Sequence, residues 1–350
     1  MKIRIGQTLA RWAGIRRVRH HIKSESAAAK VSVGQATAEI YTVWEEPNRA
    51  NSPELHIGKS GGRYSTLTGV WWLDDQSFIV NHRSGLRMAV FDAKDAREPV
   101  WKGEIGNLTD DIAARRIDGR TWDIAVSGCW SNILTRYRLT RSEAFELQEL
   151  DVLPHTARDF CHGVAYDAKG ELCYSIHTGK DPRLFIAGKV HRLPYPWGVR
   201  DLCHDATRKR YLAVAVSTNP RKKAYGSVKT SLWSCPEGGT DWTCLAAFDN
   251  VHSDALDVWK DHIWMPDQVG NRLLAIDART GDLCLIGAGD GLDFPHGLGI
   301  SPGGKIAVTN YGSSSVVVVD ADGLLALGQV KPVQASCPGS SFKTETAPDR

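Results

Sequence analysis

A chain of 350 residues can hold one large domain or two ordinary ones. Its 42% hydrophobic residues can bury a sizeable core, with no apolar run of membrane-spanning length. Thirty-three glycines and 12 tryptophans point to strands joined by tight turns, with aromatics packed between sheets, and argue against a helical bundle. The formal charge of +3 hides an asymmetry. Residues 1–23 carry seven bases (Lys2, Arg4, Arg11, Arg16, Arg17, Arg19, Lys23) and no acid, which leaves 36 bases against 40 acids downstream and argues against a nucleic-acid-binding body.

Within that basic arm Ile5, Leu9, Trp12 and Ile15 recur at helical spacing, a pattern suited to an amphipathic helix lying on an anionic membrane surface. An unstructured basic tail fits the same residues equally well. The arm lacks the unbroken apolar region of a secretory signal, and Arg16-Arg17 is followed by polar residues. The expected location is therefore the cytoplasm, with peripheral membrane contact through residues 1–23. Residues 24–38 read as linker, so 1–38 form an arm plus linker.

From residue 39 to about 335 one pattern recurs: an apolar strand, a turn, a second apolar strand, a polar turn, and a third strand often ending in Asp. The units open at Thr68, Asp110, His162, His204, His252 and His296, separated by 42, 52, 42, 48 and 44 residues. A recurrence near that length, built of strands and turns only, predicts an all-β, six-bladed β-propeller of four-stranded antiparallel blades. Segments such as Val100–Glu104, Phe145–Leu150 and Thr243–Phe248 would supply outer strands. Ring closure needs one more strand in the last blade, for which Glu39–Glu45 and Gln329–Gln334 are both candidates. Trp71 and Trp72 read as blade packing. Eight cysteines without a CxxC pair read as core or surface thiols, and Cys235 and Cys244 flank a turn across which they would pair only in an oxidising compartment. Residues 336–350 read as a polar tail.

The last unit, PHGLGISPGGKIAVTNYGSSSVVVVD, resembles the repeat of NHL-type propellers and of the gluconolactonase and strictosidine-synthase-like group, a likeness that spans about residues 65–320. It implies a six-bladed propeller. Gluconolactonases hold a divalent metal with glutamate, asparagine and aspartates. Thr68, His296 and Asn310 stand at three of the corresponding positions, so the chain departs from that ligand set. Pro295-His296-Gly297-Leu298 resembles the Pro-His-(small)-Leu motif of peptidyl-hydroxyglycine alpha-amidating lyases, in which three histidines from separate blades hold zinc. That resemblance implies a metal in the pore.

The residues themselves point the same way. Four units open with histidine: His162, His204, His252 and His296. Only 12 of the 350 residues are histidine, so this alignment is improbable by chance. Equivalent positions on neighbouring blades form a ring at one mouth of the channel, where four imidazoles would converge on a divalent ion, zinc or iron. Asp110 would be a fifth ligand or an acceptor that orients an imidazole. The loop after each second strand returns to the same mouth and brings His82, Arg83, Trp130, His177, Asp267, Gln268, Asn310 and Tyr311 there. His82 and His177 suit acid–base chemistry. Arg83 suits a carboxylate or phosphate. Trp130, Asp267, Gln268, Asn310 and Tyr311 would line the substrate. The expected function is a metal-dependent lyase or hydrolase acting on a small organic molecule. The alternative is a non-catalytic propeller that binds a protein, peptide or glycan, its histidines bridging blades by hydrogen bonds.

Overall fold

The computed structural model describes residues 29–33, 39–42, 67–82, 87–94, 98–105, 109–128, 133–154, 160–177, 182–194, 198–217, 229–249, 251–289, 291–312 and 315–328. The arm's predicted helix, the tail and Gln329–Gln334 lie outside them, as do Arg83 and Trp130.

Two strands precede the repeats: β1 (Ala29–Ser32) and β2 (Glu39–Thr42). Blade I is β3 (Leu67–Trp72), β4 (Ser77–His82), β5 (Arg87–Asp92) and β6 (Trp101–Glu104). Blade II is β7 (Ile112–Arg116), β8 (Thr121–Gly128), β9 (Ile133–Arg141) and β10 (Phe145–Pro154). Blade III is β11 (Cys161–Tyr166), β12 (Leu172–Ile176), β13 (Arg183–Ile186) and β14 (Lys189–His191). Blade IV is β15 (Gly198–Asp205), β16 (Arg210–Ser217), β17 (Lys229–Pro236) and β18 (Thr243–Asp249). Blade V is β19 (Asp257–Trp259), β20 (His262–Asp267), β21 (Arg272–Asp277) and β22 (Leu283–Ala288). Blade VI is β23 (Pro295–Ile300), β24 (Lys305–Asn310) and β25 (Ser315–Asp320).

The innermost strands touch in cyclic order, β3 on β7, β7 on β11, β11 on β15, β15 on β19, β19 on β23 and β23 on β3, so the ring is closed. Of the two candidates for closure, Glu39–Thr42 takes the place: β2 pairs antiparallel with β25 and covers its edge. Within the stretch read as linker, β1 instead pairs parallel with β22 as a fifth strand of blade V. Val33, fully buried beside Leu273 and Leu285, holds it there. A short helix, α1 (Ala321–Leu327), follows β25. Asp320 caps it by accepting from Gly323 N at 2.6 Å, and Leu324 packs into the junction of blades V and VI.

The apolar core is divided among the junctions. Each of six hydrophobic clusters lies between two neighbouring blades, as where Ile79, Met88 and Val90 of blade I meet Trp122, Ile124 and Leu139 of blade II. Alternation along the strands produces this, because a central blade strand is covered on both faces and its side chains feed one junction or the other. Trp72 is packing, as expected: it is buried between blades VI and I and donates to Gly299 O at 3.1 Å. Cys235 and Cys244 are both free thiols, and the register sets Cys244 opposite Trp233. No helix among the described residues is long and apolar enough to cross a membrane.

Candidate metal centre on the propeller axis

Near the axis the inner strands carry a repeated irregularity. In β3, β11, β15 and β23 a β-bulge falls at the start of the strand, after Leu67, Cys161, Val199 and Pro295. A bulge re-aims the side chain it contains. The re-aimed residues are Thr68, His162, Arg200 and His296.

Hydrogen bonds fix the same register independently. In four blades the N–H following the axial residue is donated to a side chain of the second strand: Gly69 to Asn81, Asp111 to Ser127, Gly163 to Ser175 and Gly297 to Thr309. Three of those hydroxyls bond onward to the axial carbonyl of the next blade: Ser127 to His162, Ser175 to Arg200 at 3.4 Å, and Thr309 to Thr68 at 2.7 Å. Side-chain carboxylates stitch alternate places, with Asp111 accepting from Val164 N and Asp201 from Leu256 N, both at 2.9 Å. Leu256 thus stands where Val164 does, and Asp254 where His162 does. Neighbouring blades approach so closely here that a Cβ on Gly163 would lie 2.5 Å from Asp201 Cα.

The axial ring is therefore Thr68, Asp110, His162, Arg200, Asp254 and His296, one residue from each blade. This corrects two of the expected positions. His204 lies four residues beyond Arg200, at the other end of β15. There its Nε2 meets Glu237 Oε1 at 2.5 Å and its ring lies 5.1 Å from Tyr211. His252 precedes the ring by two residues and bonds Asp254 Oδ1 through Nε2 at 3.0 Å. The two axial residues missed were Arg200 and Asp254. A signal for Arg200 was present: Asp167 and Asp205 each accept backbone N–H bonds in the turn after their inner strand, and each lies five residues past its axial residue.

Four of the six close a cycle of alternating carboxylates and imidazoles. His162 Nε2 lies 3.4 Å from Asp110 Oδ2 and 3.9 Å from Asp254 Oδ1. His296 Nε2 lies 3.7 Å from Asp110 Oδ1 and 3.5 Å from Asp254 Oδ2. All four side chains are almost fully buried. Asp110, His162 and His296 form a group that can hold a metal ion, their ligand atoms all lying within 4.8 Å of one another. Tetrahedral zinc, with bonds of about 2.0–2.2 Å, sets its ligand atoms about 3.3–3.5 Å apart, so small side-chain movements would suffice.

The electrostatics follow from burial and these neighbours. Burial pushes the His162 imidazole down to about 4, against the opposing pull of Asp110 and Asp254. His162 is thus neutral near pH 7, the form that ligates. Burial would raise the Asp254 carboxyl, but His252, Arg200 and His296 hold it well below the usual range. One layer deeper, burial raises Asp111 to about 7, with repulsion from Asp110 adding to it, and burial with repulsion from Asp111 raises Asp201.

Of the remaining expected residues, His177, Tyr311 and Gln268 touch this cycle. His177 touches the His162 ring edge-on at 5.2 Å and lies 3.4 Å from Arg200 through Nε2, and burial together with Arg200 depresses its pKa strongly. Tyr311 stacks on His296 at 5.4 Å. Gln268 donates to Asp254 Oδ2 at 2.5 Å. Asp267 is turned to structure, taking Arg272 Nε at 2.6 Å and His252 N at 3.1 Å. Asn310 pins the mouth loops, donating to Gly291 O and Ser315 Oγ and accepting from Asp293 N. His82 is buried at the end of β4, opposite Leu67.

No family model matches the chain, and no curated protein matches it. Solved structures do. A luciferin-regenerating enzyme aligns at TM-score 0.56 and 13% identity over 74% of this chain and 92% of that one. An aldose sugar dehydrogenase from Streptomyces coelicolor, in its PQQ-bound form, aligns at 0.52 and 12% over 81% and 98%. Virginiamycin B lyase from Staphylococcus aureus aligns at 0.51 and 11% over 85% and 90%. At such identities the likeness carries the propeller fold alone.

Proposed function

We propose that the chain is a metal-dependent enzyme whose ion sits on the axis, held by Asp110, His162 and His296 with Asp254 completing the set. The observation that carries this is the buried Asp110–His162–His296 group with its ligand atoms gathered within 4.8 Å. Two carboxylates and two imidazoles converging from four blades are expensive to bury, and a divalent cation offsets that cost directly. The mixed oxygen and imidazole donors suit zinc or iron(II). The resemblance of Pro295–Leu298 to the motif of an amidating lyase agrees with a lyase, and hydrolase chemistry uses the same parts. The substrate would be a small organic molecule. When bound, the ion would supply Lewis acidity or an activated water. His177, held neutral beside the cycle, would take or return a proton through its imidazole. Tyr311, flat against His296, would limit the apolar side of the site.

Elemental analysis of protein purified without a histidine tag tests this reading. About one zinc or iron per chain is expected, lost in both His162→Ala and His296→Ala. Stoichiometric metal that survives both substitutions would remove the proposed ligands. Metal-free protein that takes up neither ion would leave a non-catalytic propeller, binding a protein, peptide or glycan at the same mouth.

A further inference from the structure

Among the described residues two arginines are buried, Arg200 and Arg272. Arg272 is neutralised in a short, direct pair, its Nε 2.6 Å from Asp267 Oδ2. Arg200 is not. Its nearest carboxylate, Asp254 Oδ1, lies 3.4 Å from Nε, and its NH1 lies 3.4 Å from His177 Nε2.

Arg200 Nε makes no hydrogen bond among the described residues. Asp254 cannot turn fully to it, since its oxygens also serve His252 at 3.0 Å and Gln268 at 2.5 Å and face His162 and His296. Gln268 Oε1, on the amide that donates to Asp254, is likewise buried without a partner among the described residues. A guanidinium carries five donors in a planar fork that matches an oxyanion, and a buried charge with unmade bonds is costly. The charge stands in the ring itself, one position from His162 and in contact with the Asp254 carboxylate.

We infer that Arg200 is the receptor for an oxyanion on the substrate, so that the molecule handled at the axis is a small organic acid or phosphate whose anionic group docks on Arg200 beside the ion. This rests on the metal reading above for the position of the reacting end, while the anion contact itself needs only Arg200. A carboxylate and a phosphate present the same oxygens to the fork, and the test separates them.

Glycolate and inorganic phosphate would each be titrated calorimetrically into zinc-loaded and zinc-free protein, for the wild type, Arg200→Gln and Arg200→Lys. One of the two anions should saturate a single site on the wild type. Its affinity should fall by about tenfold to a hundredfold in Arg200→Gln, the loss expected for hydrogen bonds to a charged group, with zinc content unchanged. Arg200→Lys keeps a cation near Asp254 and loses the fork. It should recover only part of the affinity, and it decides the matter should Arg200→Gln fail to fold by circular dichroism. Equal affinity in the wild type and both variants, or no binding of either anion to the wild type, would overturn the inference. Zinc bound stoichiometrically with anion affinity indifferent to Arg200 leaves the metal reading standing and this one refuted. Arg200-dependent anion binding by a protein that takes up no zinc does the reverse.

Discussion

The junctions between blades and the axis they enclose are equally buried and built on opposite principles. A junction is made of leucine, isoleucine, valine and tryptophan in interchangeable combinations, as in the cluster of Trp264, Leu273, Leu285, Ile306 and Val308 between blades V and VI. Burying each such side chain is worth about 1.5–3 kcal/mol, and no single pair is indispensable. The axis packs Asp110, His162, Arg200, Asp254 and His296 where every charge must be matched. Stability resides in the first region, and the chemistry proposed above would reside in the second. The junction between blades II and III is intermediate. Its apolar cluster is small, with Ala113 and Ala125 among its members. Arg115 spans it, pairing with Asp123, donating to Gly170 O and lying over the Tyr166 ring.

The contrast breaks most visibly at Trp264. Trp264→Ala should cost about 3–5 kcal/mol in urea unfolding, the range for deleting a buried aromatic, while the fraction still folded keeps its metal. Loss of metal from folded Trp264→Ala protein would mean that the two regions are not separable.

Acid sharpens the contrast, because axial His162 and the deeper Asp111 respond with opposite sign. His162 has its pKa depressed to about 4, so its contribution is present above the unfolded value near 6.5 and is lost as pH falls towards 4, of order 3 kcal/mol for a fully buried group. Asp111 is raised to about 7, so its contribution is present below the unfolded value near 4 and is lost as pH rises through 7. Between about pH 7 and pH 5 the two oppose each other in metal-free protein. Asp111→Asn should therefore lose stability more steeply on acidification than the wild type, and His162→Gln less steeply. Parallel urea midpoints for all three proteins across that range would contradict the assignment.

Smaller effects test the edges of the comparison. Arg115→Ala should cost about 1 kcal/mol, since its ion pair is one-third exposed, and should leave metal content unchanged. His204→Ala should leave metal content untouched, because its side chain packs on Tyr211 and pairs with Glu237 at the far end of β15. Metal loss in His204→Ala would restore the register that the structure corrects.

Much of this was legible in the residues. The strand–turn recurrence determined six blades, and the apolar alternation determined that tryptophans such as Trp72 would pack between them. His162, His296 and Asp110, which the structure gathers into one buried group, could be named as candidates because their units open cleanly, His162 and His296 just before a glycine that admits the next blade. The recurrence did not determine the register of blades IV and V. A histidine followed by Asp at 204–205 imitates the opening of a unit, yet His204 pairs with Tyr211 at the far end of β15, whereas the bulge that re-aims a side chain to the axis falls after Val199. Only the pairing of β15 with β16 puts Arg200, not His204, on the axis. Tertiary structure also decided that β2 closes blade VI and that β1 extends blade V, since both depend on which sheet edges remain open after the repeats have folded. A sequence specifies local period and turn chemistry directly. Which side chains from six separate sheets meet at one point is set by closure of the ring.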